Sequence, residues 1–115
     1  MLELKNLLVT APEMDAQLAD FATFAAEPRF RDGDRYAVLD PATAQVGIAL
    51  AAPEDHPAPG ELVLTAKTDH VRAAADQLVA AGAELVKPVH EGGHEVRALV
   101  KLGGGLLVMI YGPEA

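Results

Sequence analysis

The segment Leu7-Leu8-Val9-Thr10-Ala11, followed by a stretch with helical spacing through Phe24, returns as Leu62-Val63-Leu64-Thr65-Ala66, followed by a second such stretch through Ala81. A strand-then-helix unit that occurs twice, each time trailed by further strand-like runs, implies two similar modules that share one core. The repeat also puts the two halves into correspondence. A site read in one half therefore has a counterpart to inspect in the other.

At 115 residues the chain is expected to form one domain, long enough to bury roughly two-thirds of the surface its unfolded form exposes. Cysteine is absent, so disulfides, thiolate metal sites and Cys nucleophiles are excluded, and a cytoplasmic setting fits. No segment approaches the roughly 20 apolar residues of a membrane span, and Met1-Leu2-Glu3-Leu4-Lys5 lacks the basic-then-apolar order of a signal segment. The expectation is a soluble, unprocessed protein. The formal charge of −8 repels phosphate backbones and anionic membranes, which argues against nucleic acid or membrane as partner and for a cationic or neutral small ligand. Aromatic residues make up only 4% of the chain and Trp is absent, which weakens any reading that needs extensive stacking.

Along the chain, Leu2, Leu4, Asn6 and Leu8 alternate with Glu3, Lys5, Leu7 and Val9 at the period of a strand. After Pro12, the residues Met14, Leu18, Phe21, Ala22 and Ala25 recur at helical spacing, and Pro28 is read as the stop. Arg35-Tyr36-Ala37-Val38-Leu39 and Val46-Gly47-Ile48-Ala49-Leu50 form short apolar runs around the turn signal Asp40-Pro41-Ala42-Thr43, an antiparallel pair. Ala51 to Gly60 holds three prolines and no periodicity, the expected linker. The modules are thus bounded as 1–52 and 61–115, with 53–60 between them. In the second, Thr68 or Asp69 is read as the cap of a helix striped by Val71, Ala74, Ala75, Leu78 and Val79, and Gly82 as its left-handed stop. Strands are expected at Glu84–Val86, Glu95–Val100 and Leu106–Tyr111.

Two motifs suggest chemistry and their context argues against it. His90-Glu91-Gly92-Gly93-His94 matches a zinc-protease pattern that works only on a helix, where both imidazoles share one face. Two glycines, a preceding proline and strand-like surroundings favour a turn, with His90, His94 and Glu95 as a fallback metal set. Gly103-Gly104-Gly105 leads into an apolar strand and not a helix, so it is read as a tight turn and not a phosphate cradle. His56 in the linker and His70 at the start of the second helix are read as exposed.

The order of elements, together with Leu78-Val79-Ala80-Ala81-Gly82-Ala83-Glu84-Leu85-Val86-Lys87-Pro88 and the closing Gly105-Leu106-Leu107-Val108-Met109-Ile110-Tyr111, resembles the vicinal oxygen chelate superfamily, which includes glyoxalase I, extradiol dioxygenases, methylmalonyl epimerase and bleomycin-resistance proteins. The resemblance implies an α+β fold: two βαβββ modules whose mixed sheets form a curved half-barrel around a cavity, with helices on the convex side. It also implies a homodimer. The superfamily's enzymes hold one divalent metal on the first and last strands of each module, and matching those positions gives Asn6, Glu61, Ala49 and Met109. Only Glu61 is a good ligand, and a lone carboxylate does not hold a transition metal against water. The resemblance therefore favours the bleomycin-resistance branch, which binds a small organic ligand without a metal cofactor; the candidate lining is Asn6, Leu8, Glu61, Val63, Arg97, Met109 and Tyr111. The alternatives are an isomerase, lyase or dioxygenase with Glu61 or a His as acid-base, and a metal enzyme with other ligands.

Overall fold

The computed structural model describes residues 2–22, 26–41 and 47–115. Phe24, Ala25 and Val46, and the Ala42-Thr43 part of the expected turn, lie outside those residues. The alternation of the N-terminal segment becomes β1 (Glu3–Thr10), and the Met14, Leu18, Phe21 stripe becomes α1 (Met14–Ala22). Then come β2 (Ala26–Asp32), β3 (Tyr36–Pro41), β4 (Gly47–Ala51) and β5 (Val63–Lys67). The chain closes with α2 (Val71–Ala80), β6 (Glu84–Glu91), β7 (Val96–Lys101) and β8 (Leu107–Gly112). It divides into two compact units, one of Asn6–Leu62 and one of Val63–Ala115 with the first residues through Lys5. Each is a mixed-sheet βαβββ module, so the α+β class read from the sequence is the class observed.

In the first module the strand order is β2-β3-β4-β1, with β1 and β4 parallel and the other pairs antiparallel. Strand β2 has no counterpart among the strands expected from the sequence, in which Pro28 reads as a helix stop. Its residues Glu27, Arg29 and Arg31 give no apolar alternation, and it survives as the outer strand. Pro28 sits at a register irregularity between Pro28 and Phe30, on an outer strand, where proline is tolerated. The second module repeats the pattern as β5-β8-β7-β6, with β5 and β8 parallel.

Each module has its own core on the face that carries its helix. In the first, Met14 of α1 packs with Ala11, Ala37, Leu39 and Leu50, flanked by Val9, Leu18, Phe21 and Ile48. In the second, Val71, Ala74 and Ala75 of α2 pack with Ala66, Ala98, Val100, Val108 and Ile110, and Leu78 joins them. Val79, placed in the stripe by spacing, is instead 42% exposed, beyond the face formed by Val71, Ala74 and Ala75. The expected caps also change. His70 is the N-cap and makes no side-chain cap bond, while Thr68 Oγ1 accepts from the His70 N–H at 3.2 Å. At the other end Gly82 has φ +110°, and the Gly82 and Ala83 amides donate to Val79 and Leu78 at 3.0 and 2.9 Å. That bond pair is the Schellman stop that Gly82 predicted.

The ladders reveal the true internal correspondence. Leu8 pairs with Ala49 and Thr65 with Met109; Asn6 pairs with Gly47 and Val63 with Leu107. Ala11 and Thr68 each close their strand, donating to the Ala51 and Tyr111 carbonyls at 2.7 and 2.9 Å. The structural partner of Asn6 is therefore Val63, two residues beyond the Glu61 that the repeated letters indicate. The likeness of Leu7–Ala11 to Leu62–Ala66 is one of composition, and a shift of two keeps every side chain on its own face.

Candidate functional site

Because one face of each sheet is taken by a helix, strand alternation fixes which residues point the other way. On the helix-free face of the first module lie Asn6, Leu8 and Thr10 of β1, Tyr36 and Val38 of β3, and Ala49 and Ala51 of β4. On that of the second lie Val63, Thr65 and Lys67 of β5, Leu107, Met109 and Tyr111 of β8, and Arg97 and Leu99 of β7. Six of the seven candidate lining residues, Asn6, Leu8, Val63, Arg97, Met109 and Tyr111, thus share the helix-free face of their own module. The seventh, Glu61, is exposed, lies before β5 begins, and donates its amide to Ala58 O at 3.0 Å.

The second module's face is apolar in its middle, where Val63, Leu99 and Met109 are buried, and polar along one row. Register aligns Lys67 with Tyr111, Tyr111 with Arg97, and Arg97 with His90, a line across β5, β8, β7 and β6. All four can donate hydrogen bonds. At its centre Arg97 Nη2 and Nε donate to Glu95 Oε1 at 2.6 and 3.2 Å. The two side chains keep only 20% and 24% of their exposure, so the pair is largely withdrawn from water. Gly92 lies beneath it, and a Cβ there would run into the Arg97 side chain. Burial first, then the nearby carboxylates of Glu95 and Glu3, push the Tyr111 phenol above its ordinary value. The phenol thus stays protonated to higher pH than that of a free tyrosine.

The corresponding row in the first module is Thr10, Ala51, Tyr36 and Asp32. Tyr36 meets Phe30, ring centres 6.4 Å apart. Beside that row the expected linker turns out to be part of the first module. His56, read from sequence as exposed, is buried. Its Nε2 lies 3.1 Å from the Leu8 carbonyl, while Nδ1 accepts the Ala58 N–H at 3.0 Å. Those partners require the tautomer with its proton on Nε2. Gly60 N–H donates to Thr10 Oγ1 at 2.9 Å, so the proline-rich segment is tied to β1 at two points. Three prolines signal irregular backbone and carry no information about burial, which is why the sequence missed this.

The positions equivalent to the superfamily's metal ligands are, by register, Asn6, Ala49, Val63 and Met109. They offer no imidazole and no carboxylate, and they do not fit a transition-metal centre. The fallback set fares no better among the described residues, where no group of three or more His, Asp or Glu is placed to hold a metal. His90 lies on β6 with Nδ1 2.7 Å from Pro88 O, His94 is exposed in the turn beyond it, and Glu95 is engaged by Arg97. The segment is strand and turn, so the helical geometry of a zinc protease is absent there. Gly103 to Gly105 form the tight β7–β8 turn, with Gly105 at φ +96°.

Two βαβββ modules, each with its first and last strands parallel neighbours and a helix on one face, define a class of small α+β proteins built by internal duplication. The chain belongs to the Glyoxalase/Bleomycin resistance protein/Dioxygenase superfamily, whose profile matches residues 15–110. An uncharacterized protein of Mycolicibacterium smegmatis is 35% identical over 111 residues, 96% of this chain and 94% of its own. Among solved structures, one described as an NAD-dependent benzaldehyde dehydrogenase from Legionella pneumophila has a TM-score of 0.78 at 12% identity, over 92% of this chain and 96% of that one. Methylmalonyl-CoA epimerase from Mycobacterium tuberculosis has a TM-score of 0.65 at 19% identity, over 96% and 87%. At such identities the likeness is one of fold. None of the described helices is long and apolar enough to cross a membrane.

Proposed function

We propose that this protein binds a small organic ligand on the helix-free face of its second module, without a divalent metal centre. The observation that carries the reading is the row through Tyr111 and Arg97, half-buried polar groups at the margin of the buried Val63, Leu99 and Met109. Withdrawing an ion pair from water costs free energy that the pair's own attraction only partly offsets. A few fixed polar groups beside apolar side chains are the usual lining of a small-ligand site. The donor set at Asn6, Ala49, Val63 and Met109 supports the metal-free part of the proposal. Glu61, exposed and ahead of β5, is assigned no acid-base role, and Glu61→Gln is expected to leave ligand binding unchanged.

The test has two arms. Tag-free protein incubated with nickel, iron, manganese or zinc and then desalted should retain no stoichiometric metal by plasma mass spectrometry; near-stoichiometric retention of one ion would overturn the metal-free reading. A thermal-shift screen of small organic acids, amides, alcohols and amines should yield at least one stabiliser whose effect is lost in Arg97→Met. A stabiliser insensitive to that substitution would move the site elsewhere. We also propose that two copies pair, since the outer strands expose Phe30 on β2 and Leu85 and Val86 on β6, apolar edges of the kind proteins ordinarily cover. Light scattering at micromolar concentration should give the dimer mass, and a monomer mass would refute pairing.

A further inference from the structure

The geometry points to Arg97 as a seat for a ligand carboxylate, with Glu95 as the internal group that occupies the seat until the ligand displaces it. This deepens the proposed ligand-binding function and rests on it. Three observations carry the inference. First, a carboxylate already sits on Arg97, donated to by both Nε and Nη2, so the guanidinium edge is shaped and oriented for that group. Second, the occupant comes from the adjoining turn and not from the sheet: Glu95 precedes β7, next to Gly92 and Gly93, with Gly93 at φ +88°. Rotation of the Glu95 side chain alone would vacate the site, and the exposed part of both partners leaves a path for exchange. Third, Arg97 is flanked in register by Tyr111 on one side and His90 on the other, with Lys67 beyond Tyr111. Four donors stand in one line with the carboxylates of Glu95 and Glu3 near them, and once Glu95 swings away the row complements an acceptor-rich anion better than a cation.

This reverses the preference that net charge alone suggested. Fields from charges spread over the whole surface are screened within about 8 Å at physiological salt, whereas the row acts at contact. The acidic total slows the approach of an anion; the row decides what stays.

The experiment uses benzoate, benzamide and benzylamine as probes, which keep one ring and change only the head group, against the full chain by isothermal titration calorimetry. Glu95→Gln removes the competing charge while retaining a hydrogen-bond acceptor, and should bind benzoate about tenfold more tightly than the unaltered protein, a coupling at the lower end of the usual range. Arg97→Met made on the Glu95→Gln background, which leaves no carboxylate stranded, should abolish that gain. Benzamide should bind more weakly than benzoate, benzylamine should not bind, and benzoate affinity should fall as salt rises. Equal or weaker benzoate binding in Glu95→Gln, or equal affinity for benzamide, overturns the carboxylate seat. If the thermal-shift screen still finds a stabiliser lost in Arg97→Met, the broader binding function stands and only the ligand class is wrong; if no compound stabilises the protein, both fail.

Discussion

The two modules have nearly the same ladder and opposite chemistry on the same row. Thr10, Ala51, Tyr36 and Asp32 stand in the first module where Lys67, Tyr111, Arg97 and His90 stand in the second. Behind those rows the cores match position by position. Leu50 and Ile110 are both wholly buried, as are Ala37 and Ala98, and Leu39 and Val100. The helix side of the sheet has kept its apolar pattern because any polar group there would lose water without gaining a partner. The middle of the helix-free side is buried too, at Leu8 and Ala49 in the first half and at Val63, Leu99 and Met109 in the second; the halves differ along the row at its margin. The second half carries the donors; the first half carries the tie to the proline-rich segment.

The largest effects should come where the modules are most alike. Leu50→Ala and Ile110→Ala each remove a fully buried side chain at equivalent positions and should each cost about 2–5 kcal/mol by denaturant unfolding. A small loss at one and a large loss at the other would break the equivalence. Next comes a position at which the halves differ. Gly112 has its would-be Cβ against the Thr68 carbonyl, while the equivalent Ala52 carries a buried methyl. Gly112→Ala should cost about 1–3 kcal/mol through overpacking, seen as a lowered Tm, and Ala52→Gly about 1 kcal/mol. If Gly112→Ala is neutral, the close approach is not a constraint.

His56→Ala removes the partner of the Leu8 carbonyl and of the Ala58 amide and should cost about 1–3 kcal/mol. Limited proteolysis should then cut within 53–60, a cleavage the parent resists. Gly82→Ala forces a non-glycine residue to φ +110° and should cost about 1–2 kcal/mol, read from the same unfolding curves.

The smallest effect is the most specific to the second module. With Tyr36→Phe as background, the phenolate absorbance of Tyr111 should rise with a midpoint above the ordinary 10.0. Burial and the carboxylates of Glu95 and Glu3 favour the protonated phenol in the fold. The stability this contributes is fully present below the ordinary value and is lost as pH climbs through the raised one. Glu95→Gln should bring the midpoint partway down, and no further, because burial is the larger cause.

Much of this was legible in the letters. Alternation in Leu2 to Thr10, the Met14-Leu18-Phe21 stripe and the Gly82 stop each rest on one local rule, and each matches an observed element. Strand β2 was missed because an outer strand needs no apolar alternation, and Pro28 speaks against a strand only where its N–H would be needed. The place of Glu61 was misread because a sheet has a period of two. The repeated letters fix which face a residue takes, but only the hydrogen-bond ladder sets the register, and that ladder puts Val63 opposite Leu107.

The sequence by itself determined the duplication and the apolar face of each half, which follow from residue type and spacing along the chain. The α+β class and the positions at which to look for metal ligands came from the family resemblance those residues carry. Only the tertiary structure decided that Lys67, Tyr111, Arg97 and His90 stand in one line, that Glu95 closes on Arg97, and that His56 is buried against β1. Those facts depend on which strand lies beside which and on what is shielded from water, and both are settled by contacts between residues far apart in the chain.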